Sequence, residues 1–222
     1  MITLLSIGAV TVGSDGYRGE VRAAVIDPVA ATVTHLVVEP EGRSGLARLV
    51  PLKLAEAEAD RDDDDVREAP GKLRLRCTEA EFMNLDAAEE TLAEFAVGHT
   101  VPVQLLPPGW RGTGEPVAHG GDIPRIPERE TVDVTPPGEV EEHGGDHVHA
   151  TDGDIGRLRG FRLDPASGRV THVLLAEGHL WGRKEVAIPI GAVTGVGDGI
   201  RLNITKREVQ DLPAVDIDHL DE

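Results

Sequence analysis

The feature that most constrains the fold of this chain is an internal repeat. Asp15-Gly16 recurs as Asp152-Gly153, 137 positions further along (152 − 15). Asp27-Pro28 and Val33-Thr34-His35 recur at the same offset, and 9 of 25 aligned positions are identical. A constant offset through several elements predicts two copies of one small fold.

The length of 222 residues leaves little room for each copy. Each would have roughly 70–85 residues, and domains of that size bury only about 60% of the surface that their unfolded chain exposes. We therefore expect the two copies to pack against each other or against a partner.

Both copies have the sequence pattern of short strands separated by turns. In the second copy, β-branched and apolar runs bounded by Gly and Pro predict strands at Ile155–Leu163, Arg169–Ala176, Glu185–Ile190 and Ile200–Ile204. In the first copy, the corresponding strands are expected near Gly19–Ile26, Thr32–Val38, Ala47–Leu52 and Lys72–Cys77. Thr-x-x-Glu capping patterns predict one short helix at the end of each copy, Glu79–Leu85 and Lys206–Leu212.

The segments outside the two copies differ in composition. Asp86–Ala96 has the Ala, Glu and Leu content of a short amphipathic helix, and Val101–Leu106 is a candidate strand. Residues 107–145 are rich in Pro, Gly and Glu, which is typical of an extended or mobile linker. We expect a first domain at 1–106, a linker at 107–145, a second domain at 146–213 and an acidic tail at 214–222.

Four motifs of the second copy resemble the PRC-barrel family. They are D-G-x-I-G-x-L at Asp152–Leu158, D-P-x-S-G-R-V-T-H-V at Asp164–Val173, V-A-I-P at Val186–Pro189 and the closing run Ile200–Val209. The family is named for the cytoplasmic domain of the photosynthetic reaction-centre H subunit, and it includes the C-terminal domain of the ribosome-maturation factor RimM.

The resemblance implies a mainly β fold of two small PRC-type β-barrels. Each barrel would be closed by a short helix, and the acidic Pro/Gly-rich linker would join them. The first copy is the more divergent of the two. The family shares no catalytic site, so the resemblance implies a module for binding or assembly.

The formal net charge of −18 argues against nucleic acid as a partner. Phosphate backbones are bound by clustered Lys and Arg, and an anionic membrane surface would be repelled in the same way. No apolar run approaches the ~18 residues of a membrane span. Without a signal-peptide pattern, and with Cys77 as the single cysteine, the expected location is the reducing cytoplasm, and Cys77 is expected to be a buried structural thiol.

The best candidate for recognition is a glycine-bounded loop that contains His179, Trp181 and Arg183. Aromatic residues make up only 3% of the chain, and Trp and Arg are the residues favoured at interaction hot spots. The alternative is that Trp181 fills one end of a barrel. Trp110 follows a Pro-Pro-Gly run and is a second candidate contact.

A cluster of His143, His147 and His149 suggests a metal site as an alternative. His147 and His149 would lie on one face of a strand, because side chains alternate with a period of two. The more ordinary interpretation is that these histidines are polar residues at a junction between linker and strand. His35 and His172 recur in both copies, which favours a structural role such as bonding a turn.

No arrangement of residues in the sequence indicates an enzyme. Neither a nucleophile elbow nor a glycine-rich phosphate loop is present, so no catalytic residue and no cofactor is expected. The predicted function is a non-enzymatic binding or assembly module that recognises a protein partner or a second copy of itself. The alternative is a metal- or small-ligand-binding sensor that uses the His143/His147/His149 region.

Overall fold

The computed structural model describes residues 2–42, 46–57, 71–95, 99–102, 128–177, 185–197 and 199–212. Within these ranges the protein is mainly β, with two five-residue helices, α1 (Glu79–Met83) and α2 (Lys206–Gln210). The strands are β1 (Leu4–Ser6), β2 (Val10–Val12), β3 (Arg18–Asp27), β4 (Thr32–Pro40), β5 (Arg48–Pro51), β6 (Ala55–Ala57), β7 (Lys72–Leu75), β8 (Glu89–Phe95), β9 (His99–Pro102), β10 (Glu128–Asp133), β11 (Val140–His143), β12 (His147–Ala150), β13 (Gly153–Leu163), β14 (Val170–Glu177), β15 (Glu185–Pro189), β16 (Val193–Gly195) and β17 (Ile200–Leu202).

Two curled sheets of seven strands form the body of the described structure. The first sheet has the order β5-β4-β3-β2-β7-β6, and the second has the order β15-β14-β13-β12-β17-β16. The pairs β2–β7 and β12–β17 are parallel, and the other neighbours are antiparallel. The order of strands along the chain is therefore the same in both sheets.

The seventh strand of each sheet comes from the other half of the chain. β1 pairs with β13 of the second sheet, where Leu5 lies opposite Phe161. β11 pairs with β3 of the first sheet, where Glu142 lies opposite Ala24. Glu142 is 137 positions after Leu5, and Phe161 is 137 positions after Ala24, so the two pairs are equivalent by the repeat. The two halves therefore exchange strands reciprocally, as the partners of a two-fold dimer do.

The chain returns from the exchanged strand to its own sheet at a glycine. The N–H of Ile7 donates to the carbonyl of Arg159 in the second sheet at 2.8 Å, and the next N–H, from Gly8, donates to Val21 in the first sheet at 2.7 Å. Gly8 has a φ of +92° and its counterpart Gly145 a φ of +89°. Only glycine adopts this conformation at little cost, which accounts for the residue at both crossings.

A second set of reciprocal contacts joins the two sheets where β4 and β14 begin. The N–H of Val33 donates to the carbonyl of Gly168 at 3.1 Å, and the N–H of Val170 donates to the carbonyl of Ala31 at 2.8 Å. Thr32 and Arg169, again 137 positions apart, form the bridge between these bonds. A pseudo-twofold axis therefore passes between them.

The main hydrophobic core is a single cluster with side chains from both sheets. Its fully buried members include Leu5 from the exchanged strand, Phe82 from α1 and Phe161 from β13. Cys77 is buried in the same cluster, with Sγ 3.6 Å from the hydroxyl of Tyr17, as expected for a structural thiol. The core stabilises the junction of the two halves as well as each half.

The repeated Asp-Gly motif positions the two helices. Asp15 accepts a hydrogen bond from the N–H of Glu79 at 2.9 Å, and Asp152 accepts one from the N–H of Lys206 at 2.8 Å. Thr78 and Thr205 cap α1 and α2, each in a capping box with the Glu three residues later, as the sequence predicts. The aspartates thereby satisfy helix N–H groups that have no partner within the helix.

The prediction of a helix at Asp86–Ala96 is wrong. Its central residues form β8, which pairs with β10 on one side and β9 on the other to make a third sheet. The Ala and Glu content favours a helix by propensity, but pairing with two strands outweighs a preference of a few tenths of a kcal/mol per residue. The partner strand β10 lies in the segment 107–145 that the composition assigns to a linker, as does β11.

The third sheet is connected to the outer face of the first sheet. A small apolar cluster there contains Ala23, Val37 and Ala88. The N–H of Ala88 donates to the carbonyl of Ala47 at 3.0 Å, and the N–H of Val134 donates to the carbonyl of Ala88 at 2.7 Å.

Among the described residues, no helix is long and apolar enough to cross a membrane.

Candidate functional site

All four predicted interaction residues, Trp110, His179, Trp181 and Arg183, lie outside the described residues. The two strands that flank the predicted recognition loop are described. β14 ends at Glu177 and β15 begins at Glu185, and the two form an antiparallel pair in the second sheet. The loop therefore connects two adjacent strands of that sheet.

The three histidines of the predicted metal region fall into two groups. The rings of His147 and His149 lie on one face of β12, stacked with their centroids 5.7 Å apart, which confirms their predicted orientation. Nδ1 of His147 also contacts the carboxylate of Asp154. His143 lies on β11 and forms the second group, because its imidazole contacts the carboxylates of Glu141 and Asp133.

His143 lies next to Glu141 and Asp133. Its Nε2 is 3.4 Å from Oε1 of Glu141 and 3.7 Å from Oδ2 of Asp133. The side chain of Glu141 is only 6% exposed, and burial raises the pKa of this carboxyl, an effect that the nearby His143 opposes. Asp133 could not be assigned to this group from sequence patterns, since it lies ten positions from His143 on a different strand.

The recurring Val-Thr-His motif has a structural task at a β-bulge. The register of the β13–β14 pair shifts between Arg162 and Leu163, and the hydroxyl of Thr171 donates to the carbonyl of Arg162 at 3.0 Å. Nδ1 of His172 lies 3.1 Å from the same hydroxyl, and burial lowers the pKa of this histidine, with Arg162 as a smaller contribution. The threonine hydroxyl therefore supports the bulge through a hydrogen bond to the backbone, and the histidine ring contacts that hydroxyl.

A shallow cleft with a volume of about 400 Å³ lies where the exchanged strands cross. Each half of the chain contributes five lining residues, and the two sets are 137 positions apart: Ile7, Gly8, Glu20, Val21 and Arg22, with Gly144, Gly145, Arg157, Leu158 and Arg159. The two sides of the cleft are therefore related by the pseudo-twofold symmetry of the two halves. Its charged side chains are three arginines and one glutamate.

Two of the cleft arginines occupy β-bulges. The register of β3 against β4 shifts between Val21 and Ala23, so Arg22 is the extra residue, and the corresponding shift in β13 makes Arg159 the extra residue. Bulges bend a strand and redirect a side chain, and they are frequent next to functional sites. Arg22 and Arg159 are one of the nine identities between the copies, which is the sequence signal that marks this site.

The cleft arginines differ in their partners. Nε of Arg22 is 2.6 Å from a carboxylate oxygen of Glu39. A guanidinium N–H of Arg157 donates to the carbonyl of Gly145 at 2.9 Å, which fixes that side chain across the crossing point. Arg157 and Arg159 are both exposed, so the second sheet supplies most of the positive charge that faces solvent in the cleft. Such a cleft attracts carboxylate groups, with which Arg forms bidentate hydrogen bonds.

No protein-family model matches this chain, and no curated protein matches it.

Proposed function

We propose that this protein is a non-enzymatic binding module, built as a tandem of PRC-type barrels, that holds a protein partner. The observation that supports this proposal most is the reciprocal exchange of β1 and β11. The exchange joins the two halves through a shared core and creates the cleft at their junction. A cleft that is already formed in the free protein is suited to recognition, because little conformational entropy is lost when a partner binds.

The chemistry of the cleft favours an acidic segment of the partner. Arg157 and Arg159 lie exposed in a protein with a formal net charge of −18, so they form a local positive site on an acidic surface. The surrounding negative charge would repel nucleic acid, whose backbone requires an extended basic surface. A peptide with a few carboxylates needs only a short basic cleft.

The loop with Trp181 and Arg183 is the second contact that we propose for the same partner. It connects β14 to β15, and β14 is the neighbour of β13, which carries two of the three exposed cleft arginines. A partner that spans the second sheet would reach both. Trp in the loop would supply apolar contact area, and the arginines would supply charge complementarity.

Affinity purification from native cells tests this proposal. The wild type is compared with Arg157→Ala/Arg159→Ala and with Trp181→Ala/Arg183→Ala. We expect each pair of substitutions to weaken partner binding at least about 30-fold, which corresponds to the ~2 kcal/mol lost at a hot spot. The recovered partner is then purified and titrated directly against each variant by calorimetry.

Arg74→Ala/Arg207→Ala is the matched control, because it removes the same charge at exposed arginines that do not line the cleft. It should bind like the wild type, and circular dichroism should show that all variants keep their fold. Equal binding by the wild type and both test variants would exclude these surfaces. A wild type that recovers no partner and is a monomer by light scattering would contradict an assembly role altogether.

A further inference from the structure

A cluster of potential metal ligands lies where the third sheet meets the exchanged strand β11. Glu141 and His143 are two positions apart on β11, so both project from the same face of that strand, and the fully buried Glu142 projects from the other. Asp133 is the last residue of β10, on the adjoining segment of the chain. The three side chains thus come from two strands and meet beside the junction between two sheets.

The spacing of the three ligand atoms fits a tetrahedral ion. One nitrogen or oxygen atom from each side chain lies within 4.8 Å of the others, and His143 Nε2 is 3.4 Å and 3.7 Å from the two carboxylates. With metal–ligand bonds of about 2.1 Å, two ligands of a tetrahedral site are about 3.4 Å apart, whereas adjacent ligands of an octahedral site are about 3.0 Å apart. The two distances from His143 Nε2 match the tetrahedral value more closely, and the third pair, Asp133 and Glu141, lies within 4.8 Å.

The charges and the donor types also favour a cation. Two carboxylates, Asp133 and Glu141, face one imidazole, and the carboxylate of Glu89 is close enough to act on Glu141 as well. The side chain of Glu141 is only 6% exposed, while those of His143 and Asp133 are 43% and 55% exposed. One ligand is therefore fixed in the protein, and the other two leave a position open to water. Imidazole combined with carboxylate is a common donor set for zinc.

We propose that Asp133, Glu141 and His143 bind one Zn²⁺ ion, with water in the fourth position. The residue set differs from the three histidines that the sequence suggested, since His147 and His149 are not part of it. The ion would connect β11 to the end of β10 and so hold the third sheet beside the first. It would act on the fold independently of partner binding in the cleft.

Calorimetric titration of Zn²⁺ into tag-free protein, stripped of metal with EDTA and desalted, tests the proposal. We expect one ion per chain and a higher melting temperature with zinc. His143→Gln and Asp133→Asn should each weaken zinc binding at least ~10-fold, because losing even an outer-shell partner of a ligand typically costs 10–100-fold. Co²⁺ in place of zinc should give the strong visible absorption of a tetrahedral site, and both variants should lose it.

His147→Gln is the matched control. It also removes a histidine that contacts an aspartate, and its side chain is 48% exposed, close to the value for His143. This variant should bind zinc like the wild type. The proposal fails if the wild type binds no zinc at millimolar concentration, if His143→Gln and Asp133→Asn bind it unchanged, or if His147→Gln loses it equally. Should His143→Gln not fold, the more exposed Asp133→Asn decides the outcome.

Discussion

At the scale of single residues, two corresponding positions at the junction of the halves have an unusual backbone. Ala31 has a φ of +51° and Gly168 a φ of +71°, and the carbonyls of both accept hydrogen bonds from the opposite half. The left-handed conformation costs an alanine roughly 1 kcal/mol, whereas glycine adopts it freely. The junction thus imposes the same backbone conformation on both halves of the chain, although only the second half has glycine there.

The substitutions Gly168→Ala and Ala31→Gly are therefore expected to change the free energy of unfolding by unequal amounts. Gly168→Ala should lower the free energy of unfolding by about 1–2 kcal/mol, because it adds backbone strain and places a Cβ 3.1 Å from a methyl carbon of Leu52. Ala31→Gly should change it by less than about 0.5 kcal/mol, since the relief of strain offsets the greater freedom of the unfolded chain. Urea denaturation measures both. A larger loss for Ala31→Gly than for Gly168→Ala would contradict the assignment of strain.

At the scale of elements, the turns and helix caps are fixed by exposed carboxylates. The capping glutamates Glu81 and Glu208 have a lowered pKa, mainly because each accepts a hydrogen bond from the backbone N–H of its N-cap threonine. The pKa of Asp15 is lowered mainly by the N–H of Glu79, and that of Asp164 mainly by the N–H of Ser167 in its turn. All four groups favour the folded state when they are ionised.

These shifts set the direction of a pH dependence. A carboxyl whose pKa is lower in the folded state stabilises the protein above its unfolded pKa, and this contribution is lost as the pH falls through the folded value. The usual values here are 3.8 for Asp and 4.5 for Glu. Stability should therefore decline between about pH 5 and pH 3, and Glu81→Gln/Glu208→Gln should make that decline shallower, because glutamine keeps the capping geometry and does not titrate. Urea midpoints across this range measure it, and an unchanged slope would contradict the role of the caps.

Sequence patterns predicted those elements whose conformation is set by residues close together in the chain. The two capping boxes, the turns at Asp27 and Asp164 and the strands between them follow from residues only a few positions apart. The helix predicted at Asp86–Ala96 failed because the conformation of this segment depends on pairing with β9 and with β10, and β10 lies more than thirty positions away. The same limit applies to the proposed zinc site, where His143 and Glu141 are neighbours in sequence and Asp133 is brought to them by the fold.

The exchanged strands could be located from the sequence only by extending the repeat backwards. Residues 2–8 and 139–145 share a single identity, Gly8 with Gly145, and that glycine is the crossing point in both halves. The strands themselves are unlike, Leu4–Ser6 against Glu141–His143, because Leu5 is buried in the core of the second sheet while Glu142 accepts a hydrogen bond from Gly197. Different environments removed the similarity that would have revealed the pairing.

At the scale of the whole molecule, the exchange makes each half incomplete by itself. The second sheet contains β1 from the other end of the chain, and Leu5 contributes a fully buried side chain to it. The second half also carries β11, which occupies the corresponding place in the first sheet. Because the hydrophobic core is shared, we regard the two halves as one cooperative unit and not as independent domains.

Two fragments of the second half test this reasoning. Residues 137–213 keep β11 but lack β1, so β11 of each fragment should pair with β13 of another, and light scattering should show a homodimer. Residues 146–213, the domain boundaries suggested by the sequence, lack both strands and leave the edge of β13 without a partner from Gly160 to Arg162. This shorter fragment should be unfolded or aggregated by circular dichroism and light scattering. A stable folded monomer from either fragment would show that the exchanged strand is dispensable, and the two halves would then have to be regarded as separate domains.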